Sequence, residues 1–172
     1  MKIVVVYESM FGNTQLIAEA IAKGAVDVAE VTLGSVDELT PEVARDAQLI
    51  ILGGPTHVHG MARKSTRFPK QDNPKYKPSI PGSEVLRDWI DRMPAGTAEC
   101  AAFDTRFDKA AWLTGSAARK IARKLRTKKY PVVAVESFFV VGGDGPLADG
   151  ETERAVEWAR ELAGAVAARL AG

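Results

Sequence analysis

Short, nearly continuous apolar segments alternate along this chain with stretches in which apolar residues recur at helical spacing. The apolar segments are Lys2–Tyr7, Val26–Leu33, Gln48–Gly53, Ala98–Phe103 and Pro131–Val141. The first, third and fifth consist almost entirely of Val, Ile, Leu and Phe, which is typical of strands covered on both faces. The stretches with helical spacing are Thr14–Lys23, Thr40–Ala47, Ser83–Met93, Ser116–Lys128 and Thr152–Leu170.

Strands that alternate with helices in this way predict an α/β fold. We expect a three-layer, doubly wound arrangement around a five-stranded parallel sheet. The 172 residues contain no interdomain linker, so a single domain spanning residues 1–172 is expected. Ligands of such sheets bind beyond the carboxyl ends of the strands. Those ends lead here into four segments, Tyr7–Thr14, Gly53–Met61, Phe103–Trp112 and Val141–Gly150.

The composition excludes several classes of protein. The formal net charge is +1, from 23 basic and 22 acidic residues, which argues against nucleic-acid binding. No segment approaches the roughly 20 apolar residues of a membrane span, and the apolar start is too short for a signal peptide. We therefore expect a cytoplasmic protein. The single cysteine, Cys100, lies in an apolar strand and is expected to be a small core residue.

The first strand gives way to a helix through the segment YESMFGNTQ, residues 7–15. The start of a helix attracts anions, because its first amides lack acceptors within the helix. The hydroxyls of Ser9 and Thr14 could donate to a phosphate, and Gly12 lets the backbone approach it closely. The alternative is a capped helix in which both hydroxyls only bond the turn. Neither the lysine-containing phosphate loop nor the dinucleotide motif is present.

Two further features carry charge or metal-binding potential. His57 and His59 are the only histidines, and without further ligands at suitable spacing no metal site is expected. Residues 63–77 hold six cations against one acid, with prolines that exclude a regular helix. This basic segment is interpreted either as a solvated surface connection, or as a lid or docking patch for an acidic partner or a phosphorylated ligand.

The segment Ser9-Met10-Phe11-Gly12-Asn13-Thr14 resembles the phosphate loop of flavodoxins, [TS]-x-T-G-x-T, although Phe11 replaces one expected hydroxyl. Two later segments resemble the loops that contact the flavin in that family; they are ILGGPTHVHG, which ends at Gly60, and CAAFDTRFDKAAWLTGSAARKIARKL, which starts at Cys100. The chain is thus similar to short-chain flavodoxin-like proteins. This resemblance implies the strand order 2-1-3-4-5 and a non-covalently bound FMN.

The resemblance also implies which residues contact FMN. They are Ser9, Met10, Phe11, Gly12, Asn13, Thr14, Pro55, Thr56, His57, Val58, His59, Gly60, Phe103, Asp104, Thr105, Arg106, Phe107 and Trp112. His57 takes the place of the usual inner aromatic. Ala110 takes that of the usual stacking tyrosine, so Trp112 or Phe107 could supply the ring face, unless Trp112 is a core residue. Asp104, Thr105 and Arg106 would lie near the polar edge of the flavin, or Asp104 serves a turn.

Three functions follow from this resemblance. The first is an FMN protein that transfers electrons between redox partners, docking through the basic segment 63–77. The second is a flavodoxin-like oxidoreductase of the NAD(P)H:quinone reductase or protoporphyrinogen oxidase type. The third is a non-redox scaffold that has lost FMN. The electron carrier is favoured, and the residues do not indicate an oligomeric state.

Overall fold

The computed structural model describes residues 1–56, 61, 85–142 and 145–172. Its strands are β1 (Lys2–Tyr7), β2 (Glu30–Ser35), β3 (Leu49–Pro55), β4 (Glu99–Phe107) and β5 (Val132–Val140). Its α-helices are α1 (Asn13–Ala25), α2 (Leu86–Arg92), α3 (Ala111–Thr114), α4 (Ala117–Thr127) and α5 (Glu151–Ala171). A 3₁₀ helix spans Pro41–Asp46. None of the helices in these ranges is both long enough and apolar enough to cross a membrane.

The five strands form one parallel sheet in the order β2-β1-β3-β4-β5, which confirms the predicted fold class and strand order. Successive side chains of each strand point to opposite faces, so two separate apolar clusters form. On one face, Ile3 and Leu49 pack with α1 and α5. On the other face, Val4 and Ile50 pack with α2, α4 and the 3₁₀ helix. Helices on both faces explain why β1 and β3 are apolar without interruption.

The second strand begins later than predicted. The apolar segment Val26–Leu33 was expected to form it, but β2 covers Glu30–Ser35. Val28 instead donates its backbone N–H to the carbonyl of Ala25 in the turn that ends α1, and its side chain is 43% exposed. Apolar residues at the end of a helix therefore looked like the start of a strand.

The fifth strand was expected to be covered on both faces, and this is wrong. It lies at the edge of the sheet, where Val133 and Val135 are 41% and 39% exposed. A segment that follows β5 partly covers this edge, because Val141 N–H donates to the carbonyl of Pro146 at 2.8 Å and Ala148 N–H donates to that of Phe139 at 2.9 Å. The predicted helix Thr40–Ala47 is a 3₁₀ helix rather than an α-helix.

Candidate functional site

Hydrogen bonds between side chains and backbone bring the carboxyl ends of four strands together. The hydroxyls of Thr14 in α1 and Thr105 in β4 lie 2.8 Å apart. Asn13 Nδ2 donates to the carbonyl of Gly145 at 2.8 Å, and Thr56 N–H donates to the carbonyl of Thr105 at 3.0 Å. The segments after β1, β3, β4 and β5 therefore meet at one edge of the sheet, where the ligand site was predicted.

The loop after β1 is shaped by Gly12. Its φ angle of +91° is a left-handed conformation that favours glycine, and a Cβ placed there would meet no atom within 4 Å. The N–H of Gly12 donates to Ser9 Oγ at 3.1 Å, which closes the loop. Helix α1 begins at Asn13, one residue before the predicted stretch Thr14–Lys23. Open space thus lies beside Gly12, directly before the first turn of α1.

The two hydroxyls of this loop lie inside the protein. Ser9 and Thr14 are 1% and 2% exposed, and both take part in the hydrogen bonds described above. The Ser9 contact is that of the alternative interpretation, in which the hydroxyls bond the turn, whereas the Thr14 hydroxyl bonds Thr105 in β4 instead. Within residues 1–56, 61, 85–142 and 145–172, however, no side chain caps α1, so the amides of its first turn are the groups that suit an anion here.

The start of α4 offers no such amides, because the protein caps it. Its caps run from Ala117 N–H to Thr56 Oγ1 (2.9 Å), from Ala118 N–H to Asp104 Oδ2 (2.9 Å) and from Arg119 N–H to Ser116 Oγ (3.1 Å). The hydroxyls of Thr56 and Ser116 also donate to Asp104 Oδ2, at 3.0 and 2.7 Å. Asp104 is completely buried and joins the ends of β3 and β4 to α4.

The other two helices longer than one turn are also unsuited to an anion at their starts. Glu8 Oε2 accepts the N–H of Leu86 at 2.9 Å and so places a carboxylate at the start of α2. Helix α5 carries Glu151 and Glu153 in its first turn. Helix α1 has neither a side-chain cap nor an acid there. Among the helices longer than one turn that the structure describes, α1 is therefore the one whose start favours a negatively charged ligand.

Comparison with known proteins agrees with this architecture. No family model matches the chain. A flavodoxin of Aquifex aeolicus (strain VF5) is 38% identical over 69 residues, which is 39% of this chain and 37% of that protein's length. The solved structure of an archaeal flavodoxin superposes with a TM-score of 0.66 at 20% identity, covering 96% of this chain and 99% of the other. The crystal structure of oxidised Flavodoxin 2 from Bacillus cereus superposes with a TM-score of 0.61 at 22% identity. This match covers 98% of this chain and 99% of the other.

The chain has the fold of flavodoxins. The resemblance stated from its motifs is confirmed, and the solved structures show that the fold is shared along nearly the whole chain. The match to the Aquifex protein spans little more than a third of each chain. It therefore does not extend that protein's activity or partners to this chain.

Strand β4 continues further than the sequence indicated. It was expected to end at Phe103, but it runs to Phe107. Phe103 is a core residue whose ring packs edge-to-face against Phe138 at 6.2 Å, so its side chain cannot lie against a ligand. Asp104 lies within the strand, so the expected turn role is wrong. Thr105 is 6% exposed and bonds Thr14, as described above.

Arg106 stabilises the segment that follows β4. Its guanidinium donates to the carbonyls of Phe107 and Lys109, at 3.1 and 2.5 Å, and to the Thr114 hydroxyl at 3.3 Å. Its Nε donates to Ser137 Oγ at 3.1 Å. These contacts assign Arg106 to holding the segment 107–114 in place rather than to a free cationic position.

Aromatic and aliphatic side chains are exposed beside the end of β4. Trp112 is 85% exposed, so the interpretation of Trp112 as a core residue is wrong. Phe107 and Leu113 are 38% and 53% exposed. Leu113 was not singled out from the sequence, although it directly follows Trp112. The protein thus presents an apolar surface next to the predicted ligand edge.

Two polar residues with roles at this edge were missed from the sequence. They are Glu8, which is 2% exposed at the start of α2, and Ser116, which is 6% exposed at the start of α4. The signal for Glu8 was an acid placed directly after a buried strand. Nearby, burial raises the pKa of the Tyr7 phenol, and the charges of Glu38 and Glu19 raise it further. Tyr7 therefore stays neutral at the end of β1.

Of the remaining predicted site residues, some are buried or partly buried and others lie outside the described residues. Met10 is buried at 1% exposure, while Phe11 and Pro55 are partly buried. His57, Val58, His59 and Gly60 lie outside the described residues, as does the basic segment 63–77. Their proposed contacts, and the prediction that the histidines bind no metal, stay predictions.

Proposed function

We propose that this flavodoxin-like protein binds FMN non-covalently and transfers electrons between redox partners. The observation that supports the proposal best is the start of α1, which carries neither a side-chain cap nor a first-turn acid. The phosphate of FMN would be held by the amides of Asn13, Thr14 and Gln15, and the helix dipole would favour its negative charge. Gly12 leaves room beside these amides.

The chain would also position the flavin ring, between the segments that follow β3 and β4. Because Thr56, Ser116 and α4 are bonded to the buried carboxylate of Asp104, the ends of β3 and β4 keep a constant separation. The exposed ring of Trp112 is available to cover one face of the flavin. By resemblance to flavodoxins, His57 and its neighbours would cover the other face. When bound, FMN supplies the redox chemistry itself.

The basic segment 63–77 belongs to this proposal as the docking region for an acidic redox partner. Its six cations would attract such a partner and accelerate the encounter at low salt. An oxidoreductase that reduces a small acceptor is the alternative, since Ala110 replaces the stacking tyrosine and leaves space over the flavin.

The phosphate part of the proposal is tested by placing an acid in the first turn of α1. Gln15→Glu loses the exposed bond from Gln15 Nε2 to Glu19 Oε1 (2.9 Å), but a carboxylate is favoured at a helix start, so the variant should still fold, and it would repel a phosphate bound there. We expect FMN affinity, measured by quenching of flavin fluorescence, to fall roughly tenfold or more, with riboflavin affinity almost unchanged. Riboflavin lacks the phosphate, so it isolates the charge effect.

The matched control is Gln48→Glu, the same substitution just before β3 at the opposite edge of the sheet. It should leave the affinities for both ligands unchanged. A protein that purifies without visible flavin absorbance and binds no added FMN would refute the proposed function. If FMN is bound but NADH or NADPH bleaches it without a partner protein, the oxidoreductase alternative replaces the electron carrier.

A further inference from the structure

A basic groove lies between α2 and α4, on the face of the sheet opposite to α1. Its volume is about 430 Å³. Six of the residues that line it are charged, and five of these are cations. They are Arg87, Asp91, Lys120, Arg123, Lys124 and Lys128.

Three of the cations form a stripe along α4. Lys120 and Lys124 lie in the helix and Lys128 is its C-cap, at intervals of four residues, so like charges come together on one side. Helix α4 contains no acid that could offset this repulsion. The helix dipole favours the cations at its carboxyl end and opposes Lys120 in its first turn, so Lys120 does not stabilise the helix.

Asp91 neutralises only part of this charge. Its carboxylate lies 2.5 Å from Lys124 Nζ, and its backbone carbonyl accepts from Lys128 Nζ at 2.8 Å. No ion pair engages Arg87, Lys120 or Arg123 within the part of the chain that the structure describes. Arg87 Nε is buried and has no hydrogen-bond acceptor there. A buried donor without an acceptor is costly, and Arg87 counts here only as a residue that lines the groove beside the other cations.

The groove is separate from the place where the FMN phosphate would bind. Helix α4 starts at the ligand edge with Ala117, and Arg123 lies six residues further along it, or about 9 Å at the α-helical rise. The first turn of α1, where that phosphate would bind, packs on the other face of the sheet. Met61, at the end of the predicted segment Gly53–Met61, also lines the groove. A ligand among the cations would therefore leave the start of α1 open.

We propose that this groove binds a compact polyanion of the di- or triphosphate class. Cations from two helices converge on one concave volume, and that volume falls within the range of small-ligand sites. The guanidinium of an arginine matches two phosphate oxygens at once, and lysines add point charges around them. A flat basic surface would suit an acidic protein better than this concave one.

The test is titration of the protein, residues 1–172, with sodium tripolyphosphate at low salt. Binding is measured by isothermal titration calorimetry. The groove variant Lys120→Gln/Arg123→Gln removes two charges that line the groove. The control variant Arg119→Gln/Arg126→Gln removes two charges from the same helix that do not line it. We expect saturable binding with one site, a Kd that rises at least about tenfold in the groove variant, and a change below about twofold in the control.

Three results would overturn the assignment. Binding that does not saturate refutes a specific site. An equal loss of tripolyphosphate affinity in both variants shows general charge attraction only. A polyglutamate peptide that displaces tripolyphosphate and binds more tightly identifies an acidic protein segment as the occupant instead. Thermal melts check that both variants are folded, which their exposed positions favour. Because the groove is separate from α1, FMN affinity should be the same in the groove variant, so this proposal and that of FMN binding fail independently.

Discussion

Replacing Gly53 by alanine is expected to destabilise the fold, whereas the same change at the neighbouring Gly54 is expected to be tolerated. A Cβ at Gly53 would lie 2.0, 2.1 and 2.3 Å from three ring atoms of Phe103. These distances are far below van der Waals contact, so something must move. A Cβ at Gly54 would lie 3.5 Å from Leu86 Cδ2, which is ordinary contact.

The ring of Phe103 has little freedom to yield. It is completely buried, it belongs to the residue opposite Gly53 in the strand register, and it packs against Phe138. Overfilling a close-packed core costs about 1–3 kcal/mol, so we expect Gly53→Ala to lose roughly 2–3 kcal/mol of unfolding free energy. Gly54→Ala should change it by less than about 0.5 kcal/mol. For a chain of this size, the melting temperature of Gly53→Ala should fall by about 5–10 °C.

Urea unfolding followed by circular dichroism measures both variants against the parent protein. Adding Phe103→Leu to Gly53→Ala makes space for the new methyl group, so the double variant should lose less than the sum of the two single losses. The reasoning is refuted if Gly53→Ala unfolds at the same urea concentration as the parent, or if Gly54→Ala loses as much stability as Gly53→Ala.

Two further predictions concern single buried groups. Thr14→Val and Thr105→Val should each lower the unfolding free energy by about 1 kcal/mol, because each removes the 2.8 Å bond between the two hydroxyls. The double variant should lose less than the sum in a double-mutant cycle, and additive losses would show that the hydroxyls act separately. Burial raises the pKa of the Cys100 thiol to about 12, so the folded protein should not react with Ellman's reagent at about pH 8. One thiol should react after denaturation, and rapid reaction of the native protein would contradict the burial.

The sequence was most informative where local pattern and backbone chemistry decide the outcome. Strand β1 was predicted with its observed bounds, because an uninterrupted apolar segment that ends at polar residues has few other uses. The start of α1 was predicted at Thr14 and lies at Asn13, directly after Gly12, which ends the preceding loop in a conformation that other residues avoid. Strand β5 was misjudged because the apolar character of a segment does not reveal which strand lies at the edge of the sheet.

By itself, then, the sequence determined the class of fold, the sheet order through its family resemblance, and the position of the loop that suits an anion. Only the tertiary structure decided which helix starts are already capped. Thr56 caps α4 from 61 residues away along the chain, and Asp104 is 14 residues from its backbone donor. The basic groove likewise combines α2 and α4, which are separated by β4. Periodicity reports the neighbours of a residue along its own helix or strand. It carries no information about which distant residue satisfies a buried polar group, and that pairing is decided by packing.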